Sequence, residues 1–281
     1  MSDIDALDRL LAGARRVRAR RMRGDTEILL DERDPVAVSA LREALRIADI
    51  PGYICRCLGD VALDFFDISD APLTTVTLHH GISLRWNGWH VDAVLADGVR
   101  SLEWLAVRGV VEPLREFRAS ERRRLDADRA ARRWVADMPP PLAEYTELFL
   151  GTSASGYELR AAQIEAARAR LAMAYPDALE RLTRLLTWYA SGTGKETGHP
   201  LHEDIPRLLL DLEHRLDFAR AVETADARAA AGALRYLVDW STRGRVGRLL
   251  ADLSPAARAK VLAAARDSDT RHWLAQRIDR L

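Results

Sequence analysis

At 281 residues, 48% hydrophobic and 30% charged, the chain is long enough for two cores and too apolar for wholesale disorder. Its 42 basic and 42 acidic residues balance, which excludes a global field that would draw in nucleic acid or a membrane. No apolar run nears the roughly 18–20 residues that span a bilayer.

Met1-Ser2-Asp3-Ile4-Asp5 lacks the basic start and apolar core of a signal peptide, so a cytoplasmic protein with reduced thiols is expected. Positive charge is almost all arginine, lysine occurring only at Lys195 and Lys260, a bias that fits a GC-rich bacterial genome.

Residues 5–23 read as a helix whose second half carries Arg15, Arg16, Arg18, Arg20, Arg21 and Arg23. Such a run could touch phosphates of a nucleic acid. No stacking aromatics or recognition-helix pattern accompanies it, so a solvated face docked on acidic groups is the expected role. Glu27-Ile28-Leu29-Leu30 is a strand candidate, and Asp34-Pro35 opens a helix reaching about Ala48. Pro51-Gly52 then breaks the chain.

Tyr53 to Leu95 is the chemically dense stretch. From Tyr53 to Phe65, apolar and small residues fall on odd numbers; from Thr74 to Trp86 they fall on even numbers. Period-two alternation predicts strands. Asn87-Gly88 suggests a two-residue type I′ hairpin pairing Trp86 with Trp89, Leu84 with Val91 and Arg85 with His90. The first hairpin, turning through Asp67 to Pro72, keeps apolar faces together if paired numbers sum to about 139. That register sets Asp60 opposite His79. The predicted inner face holds Cys55, Cys57 and His80 among apolar residues. The outer face holds Arg56, Asp60, His79, Ser83, Arg85, His90 and Asp92. Trp86, Trp89 and Trp104 are expected in the core rather than in an aromatic cage.

Two chemistries compete on this meander. Cys55, Cys57 and His80 could ligate zinc, with a fourth donor such as His90 or a carboxylate; the alternative is thiols packed as small hydrophobes. On the other face, His79 oriented by Asp60, with Arg85 and His90, could form a catalytic or small-ligand site, or simply a solvated sheet surface.

A helix follows Asp97-Gly98 with Leu102, Trp104 and Leu105, ending at Gly109, and a very charged helix covers 113–137. Met138-Pro139-Pro140-Pro141 is the strongest break. Helices alone are expected beyond it, at 142–149, 157–174, 177–190, 203–222, 225–241, 243–251, 255–266 and 268–280. Ser191–Thr197 lacks the spacing of a phosphate loop and reads as a helix connection. His199 and His202 lie before a helix that Glu203 or Asp204 is expected to cap.

These short alanine-rich helices, with turns such as Leu253-Ser254-Pro255, resemble HEAT-like helical repeats over the carboxy-terminal half, without a strict repeat period. The resemblance implies a scaffold or interaction surface. The expected architecture is α+β: residues 1–112 a three-stranded antiparallel meander packed with helices, 113–141 a charged helix and proline-rich linker, 142–281 a HEAT-like helical domain. The expected function is non-catalytic binding of another macromolecule, most simply a protein, in a regulatory, adaptor or immunity-type role. An enzyme or a zinc-stabilised regulator is the alternative.

Overall fold

Asp34 caps the second helix as its sequence demands: its carboxylate accepts the Val36 N–H at 3.1 Å, and Pro35 occupies the first turn. The structure, a computed structural model, describes residues 3–22, 27–193 and 200–281. The chain divides into two compact units, Met1–Leu125 and Asp126–Leu281. The first is an antiparallel sheet with helices and the second is helical, so the class is α+β.

In the first unit the elements are α1 (Asp3–Ala12), β1 (Arg16–Arg21), β2 (Ile28–Glu32), α2 (Pro35–Ala44), β3 (Ile47–Asp49), β4 (Val61–Phe66), β5 (Pro72–His79), β6 (Ser83–Trp86), β7 (Ala93–Leu95) and α3 (Gly98–Val107). The strands form one seven-stranded sheet, ordered β2-β1-β4-β5-β6-β7-β3 and not confined to three strands. Leu7 and Leu11 of α1, Val38 and Leu41 of α2, and Leu105 of α3 bury one face, over Val17, Leu63, Phe65, Val76, Leu78 and Leu84. Of the tryptophans, Trp89 and Trp104 are buried and Trp86 is half-buried, edge-on to Trp89 at 5.1 Å.

The β4–β5 register follows the sum of 139: Val61 faces Leu78, Leu63 faces Val76 and Phe65 faces Thr74. Residues 53–60, however, are loop rather than strand. The segment 74–86 is also two strands, because the chain reverses at His80-Gly81, with φ of 55° and 64°. Positive φ at both central residues is what a type I′ turn requires, and Ile82 N–H closes it on His79 O at 3.0 Å. Asn87-Gly88 does form a turn, Trp86 O accepting from Trp89 N, but neither residue has positive φ. The chain therefore does not return directly. Ser83 pairs with Val94 and Leu84 with Ala93, two residues later than expected, so Arg85 does not face His90.

The arginine run is strand β1 and not the end of a helix. Val17 and Ala19 point into the core while Arg16, Arg18 and Arg20 line the opposite face. There Asp31 pairs with Arg16 and Arg18, Asp64 with Arg20, and Asp70 with Arg16. With Arg21 3.5 Å from Glu27, in-chain carboxylates thus pair with four of the six arginines weighed as phosphate contacts; Arg23 lies outside the described residues. Hydrogen bonding from Arg16, reinforced by Arg18, holds the Asp31 carboxyl down at about 2. A folded-state value below the unfolded one adds stability above about pH 4 that is lost as pH falls toward about 2. In a thermal-midpoint series over that window, Asp31→Asn is expected to flatten the acid decline relative to wild type.

Helix α4 (Glu112–Ala136) contains the division between the units. The second unit continues through a short 3₁₀ helix at Pro140–Tyr145, then α5 (Thr146–Ser155), α6 (Ala161–Ala174), α7 (Ala178–Tyr189), α8 (Ile205–Leu210), α9 (Arg215–Thr224), α10 (Ala227–Val238), α11 (Val246–Asp252), α12 (Pro255–Ala264) and α13 (Ser268–Ile278). The helix expected over 203–222 is broken between α8 and α9, where His214 caps the new start. Trp134, Phe149 and Trp188 cluster in the core of this unit, Trp134 edge-on to Phe149 and tilted against Trp188 at 4.7 Å between ring centroids. Gly232 of α10 lies so close to α7 that an added Cβ would sit 1.9 Å from Leu186 O.

Candidate functional site

Topology places the site. Strand β3 pairs with β7 at one edge of the sheet, whereas the next strand, β4, lies between β1 and β5. Residues 50–60 must therefore travel across β7, β6 and β5, four strand spacings or about 19 Å in all. They do so over the face opposite α1–α3, carrying Cys55 and Cys57 with them.

A buried ion pair receives this loop. Arg85 of β6 grips Asp92, Nε to Oδ1 at 2.7 Å and Nη2 to Oδ2 at 2.9 Å. Asp92 Oδ2 also accepts Cys55 N–H at 2.7 Å, and Arg85 Nη2 donates to Cys55 O at 2.5 Å. Asp92 N–H donates to Tyr53 O at 2.9 Å. Asp92 is fully buried. Burial alone would raise its carboxyl pKa, but the Arg85 guanidinium and Cys55 N–H override this and hold it below the ordinary range.

Gly59 lets the loop lie down. Its φ is +92°, and a Cβ there would meet Thr77 Cγ2 at 2.3 Å and Leu78 O at 3.0 Å. Only glycine satisfies both the left-handed backbone and that approach.

The result is a convergence of both thiols with both adjacent imidazoles. Cys55 Sγ and Cys57 Sγ are 3.0 Å apart, and His80 Nε2 lies 3.5 Å from the first and 3.2 Å from the second. His79 Nδ1 is 3.1 Å from Cys57 Sγ. The prediction that His79 and His80 serve opposite faces is thus overturned. His79 does project opposite Leu78, as strand alternation requires, but the crossing loop covers that face there and buries it completely. His80, in the turn with positive φ, is freed from alternation and reaches the same thiols from the solvent side. Its side chain is 57% exposed. The thiols lie in a loop above the sheet rather than on its inner face.

Cys55, Cys57 and His80 donor atoms all lie within 4.8 Å of one another and could hold a metal ion. A tetrahedral centre with bonds of about 2.0–2.3 Å has edges of about 3.5–3.8 Å; the 3.5 Å Cys55–His80 separation meets this, while the sulfurs, 3.0 Å apart, would open to admit the ion. Behind the donors, Asp60 Oδ2 accepts His80 N–H at 2.6 Å, and its Oδ1 lies 3.9 Å from His80 Nδ1. A carboxylate bonded to the far nitrogen of a ligating imidazole is the usual supporting arrangement; here Asp60 bonds the His80 backbone and its other oxygen stands beyond hydrogen-bond reach of the ring. Bonding from Cys57 and His80 lowers the Cys55 thiol pKa, while burial and the neighbouring Cys55 sulfur push Cys57 up. Burial, aided by Arg85, lowers the His79 pKa.

The other predicted residues separate. Asp60 meets His80 rather than orienting His79 as a base. Arg85 is occupied by Asp92, while Arg56 and His90 are exposed and outside the cluster. Ser83 is buried in the strand ladder. In the second unit, Glu203 and Asp204 do not cap α8: Glu203 binds Thr193 N–H at 2.7 Å and Arg235 at 2.9 Å, and Asp204 binds Arg207. His202 stacks edge-on against Trp134 and bonds Ser153 through Nδ1 at 2.8 Å. Gly194–Thr197 and His199 lie outside the described residues. No candidate membrane span is found among the described helices, none being long and apolar enough.

Sequence reasoning missed the joining of His79 to the thiols. The signal available was Gly81, which with His80 supplies a turn and so ends the strand at His79. No protein-family model, curated protein or solved structure matches this chain.

Proposed function

We propose that the protein is a non-catalytic interaction protein whose first unit is stapled by a zinc ion bound to Cys55, Cys57 and His80. The observation that carries the reading is the approach of two sulfurs and one imidazole nitrogen to within 3.0–3.5 Å of each other on a loop whose large apolar residues, Tyr53, Ile54 and Leu58, are exposed. Two thiolates and an imidazole select zinc among common divalent ions. Bound there, it ties the crossing loop to the β5–β6 turn.

The second unit supplies the binding surface in this reading, its short helices being the basis of the HEAT-like resemblance. Tyr157, Met173 and Trp240 are each more than two-thirds exposed, and Arg243 lies over the Trp240 ring at 4.9 Å. Tryptophan and arginine are the residue types that most often dominate protein–protein contacts.

Elemental analysis of the purified full-length chain is expected to find about one zinc per chain, lost in Cys57→Ser. Chelation should lower the wild-type thermal midpoint and leave that of Cys57→Ser unmoved. A zinc-free wild type indifferent to added zinc and to chelator would overturn the reading.

A further inference from the structure

His79 stands differently from the three converging donors. Its Nδ1 touches Cys57 Sγ, yet it is outside the set of Cys55, Cys57 and His80 atoms that all lie within 4.8 Å of one another. Cys57 is thus the one donor His79 is seen to touch, and His79 lies beyond 4.8 Å from at least one of the other two. The His79 ring is fully buried, and its Nε2 has no hydrogen-bond partner.

A neutral imidazole carries one N–H. Ligation through Nδ1 would put that hydrogen on Nε2 and strand a buried donor. Hydrogen on Nδ1 instead leaves only an unmet lone pair, the better-tolerated outcome, and gives Cys57 an N–H···S bond.

We infer that His79 is a positioning residue that donates Nδ1–H to the Cys57 thiolate, and that the metal is held by three side chains, its fourth position open to a water exchangeable for a small monodentate donor such as imidazole. The inference rests on the metal reading above and makes the centre a ligand-binding site as well as a staple. Space for such a ligand adjoins the exposed donor. His80, Asp60 and Ile82 wall a cavity of about 170 Å³ completed by Pro113, Phe117 and Ser120 of the following segment, several times a water's share of about 30 Å³.

Cobalt(II) added to the zinc-free full-length chain reports both parts. Two thiolates should give a charge-transfer band in the near ultraviolet and a tetrahedral d–d envelope in the visible. Titrating imidazole into the wild-type cobalt protein is expected to shift that envelope saturably while the thiolate band persists. An envelope unmoved by imidazole means a closed site and overturns the open position.

In His79→Phe, cobalt affinity should fall about 10–100-fold and the thiolate band should move to lower energy, because a sulfur without its N–H partner is the better electron donor. His79→Asn, whose Nδ2–H can occupy the place of the ring Nδ1–H, should restore the band. A His79→Phe band at the wild-type energy, or one that asparagine does not restore, overturns the positioning role. Should His79→Phe fail to fold, His79→Leu takes its place as the variant without the N–H donor, and the wild-type titration decides the open position by itself. Failure of the wild type to bind cobalt would sink the metal reading itself, a distinct outcome.

Discussion

Asp92→Ala is expected to destabilise the first unit by about 3 kcal/mol and to loosen the thiol loop in the same step. The wild-type carboxylate is fully buried and meets Arg85 through both oxygens. Removing one member of such a pair strands the other, which typically costs about 3–5 kcal/mol. Arg85 retains some access to water, its side chain being 35% exposed, so the lower end applies. The same substitution takes away the acceptor for Cys55 N–H. Because Arg85 also donates to Cys55 O and, at 3.4 Å, to Cys57 O, its own position is then undetermined. Zinc affinity should therefore fall with stability. Denaturant titration gives the first quantity and competition with a chelator the second. An Asp92→Ala protein that matched wild type in both would show that the pair does not seat the loop.

In the second unit the largest single effect is expected at Gly232. An alanine there would place its Cβ 1.9 Å from Leu186 O and 2.6 Å from the Leu186 carbonyl carbon, both backbone atoms of α7. No rotamer change relieves a clash between two main chains, so α10 must withdraw. Overpacking of this kind costs about 1–3 kcal/mol, and a backbone–backbone contact belongs at the top of that range. Alanine's helix propensity offsets less than about 1 kcal/mol. Gly151, inside α5 with nothing within 4 Å of its would-be Cβ, is the control: Gly151→Ala should be neutral or stabilise by up to about 1 kcal/mol. Thermal midpoints that moved equally in the two variants would show that helix propensity, not close approach, governs both sites.

Much of this architecture is legible from local rules. Asp34-Pro35 marks a helix start, and the β4–β5 register follows from keeping Leu63 and Val76 on one face. Two errors have identifiable causes. Val76, Leu78, His80, Ile82, Leu84 and Trp86 alternate as a single strand would. A hairpin that pairs Val76 with Trp86 and Leu78 with Leu84 preserves the same parity through its turn. Alternation alone cannot separate the two; His80-Gly81, able to adopt positive φ, was the discriminating pair.

The arginine run misled for another reason. Arg16, Arg18 and Arg20 alternate with Val17 and Ala19 at the period of a strand, but the apolar partners are small and few, and the preceding leucines continue a helical pattern. What no local rule supplies is the order of strands. That β3 lies against β7 is a long-range pairing, and it alone carries Cys55 and Cys57 over His79. The residue types for the site were therefore visible, but their meeting place was not.

That crossing also dictates the order of assembly. A segment laid over β7, β6 and β5 cannot be seated until those strands have found one another, so the thiol loop is expected to join late in folding. Interactions absent from the barrier state act on escape from the native basin rather than on entry to it. An ion held by Cys55, Cys57 and His80 would accordingly lengthen the lifetime of the folded unit while leaving its rate of formation unchanged.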